Sequence, residues 1–327
     1  MRHILISGGA GYLGTVLTQH LLKKNYVTVY DAFYFPWLKK NKKKIKNSNR
    51  LKILNKKLHE VTKEDFDNID TVCDLNGISN DPASELNSKF TWDINYKERS
   101  HFAKIAKKAG VQRYIFNSTC SVYGFNKNKV SENSKLNPIS TYAKANLKSE
   151  NKIYKLKNNF FRVNILRNAT LFGFSNVLRL DLVINIFVYN LLKKNDLIVD
   201  GDGMQFRPFI SLTDICKVYS YLINNPKKPS FICNLVSFNS TIKSIAFKIS
   251  KILKNKKSKI IFNESKRDKR HYYAISKKFT KYFGKNFKFS SFSKEIKDLK
   301  KLIKKNKIKL NAKTIRVQFY KKLFQNS

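Results

Sequence analysis

Three glycines near the start of the chain, Gly8, Gly11 and Gly14, have the spacing of a phosphate-binding turn. Residues 4–6 before them are apolar and predict a buried strand, and the apolar spacing over residues 16–22 predicts an amphipathic helix. In such a unit the first glycine allows the tight turn, the second admits a pyrophosphate and the third lets helix and strand pack closely. The N-terminus of the helix offers free N–H groups to the phosphates. The pattern therefore predicts a dinucleotide-binding βαβ unit.

Asp31 supports this prediction, because it ends the next apolar run, residues 27–30, roughly 20 residues past the glycines. A carboxylate at this position accepts hydrogen bonds from the adenosine ribose and repels a 2′-phosphate. We therefore expect NAD(H) rather than NADP(H) as the cofactor. The alternative is an aspartate that only closes a strand.

The composition predicts a globular protein with a large basic excess. The chain has 327 residues, 42% of them hydrophobic, and a formal net charge of +44. Such a charge usually indicates a nucleic-acid partner. Here the excess is mostly lysine spread over the whole length, so we attribute it to a general compositional bias and expect no nucleic-acid partner. A nucleotide diphosphate would still be attracted by this field.

Other sequence features predict a cytoplasmic protein without a membrane or metal partner. The chain enters its first strand at once, so we expect no signal peptide. The longest apolar run, residues 182–192, is interrupted by asparagines and is too short to span a bilayer. The four cysteines are dispersed without a CxxC pair, so we expect neither zinc nor disulfides.

Strands and helices are expected to alternate after Asp31, which predicts a doubly wound parallel sheet of the α/β class with helices on both faces. The predicted strands are residues 51–54, 69–75, 114–118 and 163–167, and the predicted helices are residues 95–109, ended by Gly110, and 141–156. Residues 39–50 are expected to be a loop or a solvated helix, and residues 127–138 a polar loop. Residues 1–172 would form the NAD-binding Rossmann domain.

Residues 173–327 are expected to form a smaller C-terminal substrate lobe, some of whose segments return to the first domain. Its predicted elements are a helix at 178–192, a turn at 200–203, a strand at 206–211, a helix from near Thr213, a returning strand at 231–236 and a basic helix at 294–305. The simplest explanation of the basic tail is a solvated helix face.

Two further segments carry a family resemblance: residues 118–124, Ser-Thr-Cys-Ser-Val-Tyr-Gly, and residues 138–146, Pro-Ile-Ser-Thr-Tyr-Ala-Lys-Ala-Asn. With the glycine turn, Asn95 and the run from Gly201 to Asp214, they make the whole chain resemble the extended short-chain dehydrogenase/reductases. Within these, the chain is similar to the NAD-dependent nucleotide-sugar epimerase/dehydratase family. The resemblance implies a Rossmann fold, bound NAD, a nucleotide-sugar substrate and a homodimer formed by helices 95–109 and 142–156.

The resemblance also implies catalytic roles. Tyr142 would be the general base that takes a proton from a sugar hydroxyl as hydride leaves for the nicotinamide, and Thr119 would hydrogen-bond the same oxygen. The family places a lysine four residues after the tyrosine, whereas this chain has Asn146. Asn146 could bond a ribose hydroxyl but cannot lower the phenol pKa by charge. We therefore expect slowed or lost activity, and a gain in rate from Asn146→Lys.

The resemblance implies two sets of ligand contacts. The cofactor-binding residues would be Gly8, Gly11, Tyr12, Leu13, Gly14, Asp31, Leu75, Asn76, Gly77, Asn95, Ser118, Tyr142 and Asn146. The substrate-binding residues would be Ser79, Cys120, Thr170, Arg179, Arg207 and Arg270. Thr170 stands where many relatives have Asn, and Arg179 lies in a segment similar to the sugar-lid helix. Arg207 matches a diphosphate-binding arginine, and Arg270 is a less certain match for a second.

Cys120 and Ser121 stand where relatives that eliminate water carry Asp-Glu, so 4,6-dehydration is disfavoured. The leading prediction is an NAD-dependent C4 epimerase, similar to UDP-glucose 4-epimerase, that acts through a transient keto sugar. A 4-keto-sugar-nucleotide reductase for surface glycan synthesis is the near alternative. An NAD-binding protein with weakened catalysis is a third.

Overall fold

A parallel sheet occupies the centre of the protein, as seen in a computed structural model that describes residues 1–255, 257–265 and 271–325. In chain order the strands are β1 His3–Ser7, β2 Tyr26–Asp31, β3 Leu51–Asn55, β4 Thr71–Asp74, β5 Arg113–Thr119, β6 Phe125–Val130, β7 Arg162–Asn168, β8 Thr170–Phe172, β9 Leu197–Asp200, β10 Phe206–Ser211, β11 Phe231–Leu235, β12 Phe238–Thr241, β13 Ile260–Asn263 and β14 His271–Ala274. Of these, seven pair in the order β11-β7-β5-β4-β1-β2-β3, and all the neighbours in this sheet are parallel.

The helices connect these strands and cover the sheet. They are α1 Tyr12–Leu21, α2 Trp37–Lys40, α3 Asp81–Ser84, α4 Ser88–Trp92, α5 Arg99–Lys108, α6 Thr141–Tyr154, α7 Val183–Leu192, α8 Leu212–Asn224, α9 Ile242–Ile252, α10 Phe279–Phe283, α11 Phe292–Lys305 and α12 Arg316–Gln325. A π-helical segment, Asp93–Glu98, joins α4 to α5. Short 3₁₀ turns lie at Lys42–Lys44, Ser48–Arg50, Leu58–Glu60, Glu64–Phe66 and Cys120–Tyr123.

The central strands are apolar on both faces because two layers of helices bury them. On β1, Ile4 and Ile6 belong to one apolar cluster and Leu5 to another, and none of the three side chains is exposed. Helices α1 and α8 pack together in the first layer, and α5 and α6 in the second. The prediction of a doubly wound parallel sheet is confirmed.

The strand order places a crevice at the carboxyl ends of β1 and β4. From β1 the chain proceeds to β2 and β3 in one direction, and β4, β5 and β7 follow on the other side. Ligands of open α/β sheets bind where the strand order reverses in this way. The glycine turn follows β1, and the segment from Leu75 to Gly77 follows β4, so both lie at this crevice.

The chain beyond residue 172 builds smaller sheets and also returns to the large one. Strands β12, β10 and β8 form one small sheet, β13 and β9 a second, and β14 and β6 a third. The predicted return of residues 231–236 is confirmed, since β11 pairs with β7 at the sheet edge. Helix α11 buries Ile296, Leu299 and Ile303 and exposes its lysines, which fits an amphipathic basic helix.

Three local predictions were wrong. Part of the expected polar loop 127–138 is strand β6, whose backbone pairs with β14, more than 140 residues away. The helix expected from residue 178 begins at Val183, because Arg179 and Asp181 form an ion pair at a spacing that a helix cannot bring together. The helix expected from residue 95 is preceded by α4, which starts at Ser88 after the capping side chain of Asn87.

Within the described residues, none of the helices combines the length and the apolar character needed to cross a bilayer.

Candidate active site

Two adjoining cavities lie at the carboxyl ends of β1, β4 and β5. Each has a volume of about 150 Å³. They share four lining residues, Ser79, Asn117, Leu171 and Arg179, and the two together are called the cleft. They are named after the ligands that the sequence analysis predicts: the first is the dinucleotide cavity and the second is the sugar cavity.

The glycine turn that lines the dinucleotide cavity is packed so closely that side chains would not fit at two of its positions. Gly8 has a φ of +70°, and a Cβ there would lie 2.8 Å from the backbone nitrogen of Asn76. A Cβ on Gly14 would lie 2.2 Å from the carbonyl oxygen of Gly8, so helix and turn can approach only without a side chain. Gly11 is the N-cap of α1 and provides no side chain to cap it. The first turn of α1 therefore has N–H groups to offer a phosphate.

Asp31 lines the same cavity at the end of β2. Its carboxylate accepts hydrogen bonds from the backbone N–H groups of Ala10, at 3.0 Å, and Phe33, at 2.6 Å. Burial raises the pKa of Asp31, and these two hydrogen bonds counteract part of the rise. Since each carboxylate oxygen can accept more than one hydrogen bond, Asp31 keeps acceptor capacity for a ribose.

The loop after β4 forms the opposite wall, and Asn95 supports it from beneath. Leu75, Asn76 and Gly77 line the cavity, as do Tyr12 and Leu13 of α1. Asn95 accepts a hydrogen bond from the Ile78 N–H at 2.8 Å and donates one to the Ile78 carbonyl at 3.0 Å. Its side chain is fully buried and is not among the lining residues. Asn95 therefore positions the loop, whereas a direct cofactor contact had been expected.

Helix α12 closes the dinucleotide cavity with Arg316 and Tyr320, two residues that the sequence analysis missed. The Arg316 guanidinium lies 3.9 Å from the centre of the Phe35 ring and donates to the Val177 carbonyl at 3.3 Å. Burial lowers the pKa of Arg316 to about 10, so it stays charged at neutral pH. The basic tail had been explained as a solvated surface, and no local motif marks Arg316 as a buried residue.

Tyr142 and Thr119 both line the sugar cavity. Tyr142 lies in the first turn of α6, where Ser140 caps the helix by accepting a hydrogen bond from the Ala143 N–H at 3.1 Å. Burial raises the pKa of the Tyr142 phenol, and a hydrogen bond with Thr119 lowers it. Of the nearby charges, Asp81 raises this pKa, and Arg179 and Arg99 lower it.

Asn146 lies beneath the cleft and is not among the residues that line either cavity. Its side chain is 1% exposed. It donates a hydrogen bond to the Tyr142 carbonyl at 2.8 Å and accepts one from Nη1 of Arg99 at 3.0 Å. Asn146 is thus hydrogen-bonded to Tyr142 and Arg99, whereas the sequence analysis predicted a hydrogen bond to a ribose.

Arg179 and Ser79 stand where the two cavities meet. Arg179 donates to the Ser79 hydroxyl at 2.9 Å and forms two hydrogen bonds with the Asp181 carboxylate, at 3.1 Å and 2.7 Å. Asp181 also accepts a hydrogen bond from Asn80 at 2.6 Å. These contacts hold a buried guanidinium between the expected positions of cofactor and substrate.

The remaining predicted substrate residues divide into three groups. Thr170 and Arg207 line the sugar cavity, and the Arg207 guanidinium lies 5.7 Å from the Tyr272 ring centre. Cys120 is directed away from the cavity: it packs with Val122 and Tyr123, and its thiol donates to the Arg167 carbonyl at 3.2 Å. Arg270 lies outside the described residues.

Ser118, expected to contact the cofactor, lines the sugar cavity, but its hydroxyl donates to the buried Glu150 carboxylate. Glu150 is itself paired with Arg167 at 2.8 Å. This network connects the end of β5 to α6 and β7. These hydrogen bonds hold the end of β5, where Thr119 is the last residue.

The lining residues fit a dinucleotide of the NAD type. The first cavity combines a glycine cradle, an uncapped helix N-terminus and a carboxylate at the end of β2. The second cavity brings a phenol and a hydroxyl side by side. Such a pair can exchange a proton with a substrate hydroxyl at the junction with the dinucleotide cavity.

Comparisons with known proteins agree with this geometry. A family model described as the NAD-dependent epimerase/dehydratase family matches residues 4–234. The chain is 27% identical over 261 residues, which are 77% of this chain and 81% of the relative, to an uncharacterised UDP-glucose epimerase of Bacillus subtilis strain 168. It is 28% identical over 226 residues, 68% of this chain and 73% of the relative, to a putative UDP-glucose 4-epimerase of Methanocaldococcus jannaschii.

One similar solved structure is that of UDP-glucuronic acid 4-epimerase from Bacillus cereus in complex with UDP-glucuronic acid and NAD. Its TM-score is 0.80 at 24% identity, and the match covers 93% of this chain and 99% of that one. The match shows that the two chains share a fold.

Proposed function

The chain belongs to the NAD-dependent epimerase/dehydratase family, with NAD as its cofactor, and from this premise we propose that it is a nucleotide-sugar 4-epimerase. The observation that carries the proposal is that Tyr142 and Thr119 both line the sugar cavity, which adjoins the dinucleotide cavity. The names of the two relatives reported above, an uncharacterised UDP-glucose epimerase and a putative UDP-glucose 4-epimerase, point to a UDP-sugar as substrate.

In the proposed mechanism, NAD⁺ held by the glycine turn and Asp31 would supply the hydride acceptor for C4 of the sugar and the hydride donor for reduction of the ketone on its other face. Tyr142, as the phenolate, takes the proton of the C4 hydroxyl and gives it back at the end. Thr119 donates a hydrogen bond to the same oxygen as it becomes a carbonyl, which stabilises the charge that develops there.

Arg207 and Arg179 would bind the diphosphate of the substrate. Both side chains are buried at about 5% exposure and line the sugar cavity. A guanidinium is matched to phosphate oxygens in geometry and charge. Anchoring at the diphosphate leaves the sugar free to rotate, which an epimerase needs so that the second face of the ketone can be presented.

The residues after Thr119 support epimerisation over dehydration. Elimination of water needs an acid and a base at the sugar, but Cys120 is packed away from the cavity and Ser121 carries no charge. Burial raises the pKa of the Cys120 thiol well above its usual range. Neither residue can act as a proton-transfer group near neutral pH.

The reductase alternative and the epimerase differ in their use of the cofactor. An epimerase returns the hydride to its substrate, whereas a reductase consumes one NAD(P)H for each product molecule. We also propose a homodimer through α5 and α6, which light scattering of the purified protein would test.

The deciding experiment incubates NAD-loaded protein with UDP-glucose, UDP-N-acetylglucosamine and UDP-glucuronic acid, each in a separate reaction. Proton NMR would show the C4 epimer accumulating to equilibrium without net change of NAD. The matched control is Tyr142→Phe, which removes one oxygen and is expected to slow the reaction by about 10²-fold or more. Stoichiometric oxidation of added NADH with a 4-keto sugar, and no epimer, would instead support the reductase.

A further inference from the structure

The phenol of Tyr142 needs a nearby positive charge to act as a base, because a tyrosine in water titrates near pH 10. Burial in this protein raises the pKa of Tyr142 further. One turn along the same helix stands Asn146, which has no charge. The structure must therefore lower this pKa from another element if the site is to work near neutral pH.

Arg99 on α5 is the buried cation in contact with Asn146. Its side chain is 2% exposed, and its Nη1 donates to Oδ1 of Asn146 at 3.0 Å. Nη2 donates to the backbone carbonyl of Asn117 at 3.1 Å, and Asn117 lines both cavities. The guanidinium is therefore hydrogen-bonded to a residue of the cleft wall without lining the cleft itself.

We propose that Arg99 supplies the positive charge near Tyr142 that α6 itself lacks. Arg99 contacts α6 through its hydrogen bond to Asn146. Arg99 is in this sense a positioning residue, because it touches neither cavity. The inference rests on the proposed function of Tyr142 as a base. The sequence alone predicted that no charge at position 146 lowers the pKa of Tyr142, and in this proposal Arg99 provides that charge instead.

The position of Asp74, the carboxylate paired with Arg99, determines which side of the ion pair faces α6. Asp74 accepts from Nε of Arg99 at 2.9 Å and also accepts hydrogen bonds from Ser7 and Tyr114, both at 2.8 Å. The carboxylate thus lies toward β1 and β5, while Nη1 of Arg99 points to α6. Because the charges are separated in this way, the pair presents its positive end to the helix that carries Tyr142, and Arg99 lowers the pKa of that phenol.

The other groups around Tyr142 do not replace this charge. Asp81 from α3 raises the pKa of Tyr142, and Glu85 accepts hydrogen bonds from Thr141, the preceding residue. Arg179 lowers the pKa more than Arg99 does, but it borders both cavities, where it would face a bound diphosphate. When phosphate oxygens neutralise the Arg179 charge, Arg179 lowers the pKa of the Tyr142 phenol less. Arg99 is shielded from such ligands by the cleft floor.

The test measures the titration of Tyr142 directly, in NAD-loaded protein without substrate. Tyrosine is labelled with ¹³C at Cζ, and the Tyr142 resonance is assigned as the signal lost in Tyr142→Phe. We expect Arg99→Met to raise the pKa of Tyr142 by about one unit. Asp74→Asn/Arg99→Met removes both charges, so it leaves no buried carboxylate unpaired, and it should raise this pKa as well.

The matched control is Arg113→Met, which also removes a buried arginine. Arg113 lies on β5, but at the other end of the strand, where it donates to Asn164 and to the backbone carbonyls of Asn225, Pro226 and Lys228. We expect it to leave the Tyr142 titration unchanged. Arg99→Met/Asn146→Lys, which places an ammonium in the vacated space, should return the pKa toward the wild-type value.

An unchanged Tyr142 titration in both variants that lack Arg99 would overturn the inference, as would an equal rise in Arg113→Met. If Arg99→Met does not fold, the Asp74→Asn/Arg99→Met variant decides the question alone. These results do not depend on turnover. A clear shift together with no epimerisation of any UDP-sugar would contradict the proposed function while supporting the role of Arg99.

Discussion

Asn146→Lys brings a second positive charge into the buried space occupied by Arg99, and we expect it to destabilise the protein. Nη1 of Arg99 lies 3.0 Å from Oδ1 of Asn146, and the Asn146 side chain is 1% exposed. A buried ammonium at position 146 therefore has to stay close to the guanidinium. At about 4 Å, two like charges repel by about 4 kcal/mol at an effective dielectric constant of about 20. That is a large part of a typical stability of about 5–15 kcal/mol.

The destabilisation should depend on pH, because the folded protein can relieve the repulsion by releasing the lysine proton. A penalty of about 4 kcal/mol corresponds to a fall of about 3 pKa units, from about 10.4 to about 7. Between these values the unfolded chain binds more protons than the folded one, so the stability of the variant rises with pH. We expect a deficit of about 4 kcal/mol at pH 7 and about 2 kcal/mol at pH 9.

Urea unfolding of the NAD-free protein at pH 7, 8 and 9 measures this deficit. The matched control is Asn146→Met, which loses the same hydrogen bonds without adding a charge, so its deficit relative to wild type should not change with pH. A lysine variant within about 1 kcal/mol of wild type at pH 7 would refute the reasoning. So would a deficit that is equal at pH 7 and pH 9. Faster turnover by this single variant would favour the expectation from sequence alone.

Three further predictions concern the cleft. Gly14→Ala should weaken NAD binding at least tenfold by calorimetry, because its Cβ would lie 2.2 Å from the Gly8 carbonyl oxygen; unchanged affinity would contradict the close approach. Arg316→Ala should speed NAD release in stopped-flow displacement, whereas the exposed Lys321→Ala on the same helix should not. Thr119→Val should lower kcat by about 10²-fold and leave the Kd for NAD within threefold; an equal loss in both would place Thr119 in cofactor binding instead.

The Rossmann half of the fold could be predicted because its signals are local. The apolar runs of β1 and β2, the glycines between them and Asp31 lie within one stretch of about 30 residues. Strand β6 could not be predicted in the same way, since it is a polar edge strand that exists through pairing with β14. Arg316 was missed because its burial depends on Phe35 and Val177, which are far from it in sequence.

The hydrogen-bond network around Asn146 could not be predicted for the same reason. Position 146 could be compared only with its neighbours in sequence, and Lys144 and Lys148 do not face Tyr142 from one helical turn away. The charge that acts beneath Tyr142 comes from α5, and it is oriented by a carboxylate on β4. Three residues on separate elements, Asp74, Arg99 and Asn146, make one network, and no local pattern connects them.

The net charge of +44 suggests a strongly basic cleft, but exposed lysines contribute little there because salt screens them over about 8 Å. Buried arginines decide the local charge. Arg99 and Arg179 each face a carboxylate, whereas Arg316 donates to the carbonyl oxygens of Lys313 and Val177, which carry no full charge. If the diphosphate of NAD binds beside Arg316, its negative charge adds to that of Asp181, and we expect cofactor binding to stabilise the position of α12. A cofactor retained in this way suits an epimerase, which has to return to the sugar the hydride it has just removed.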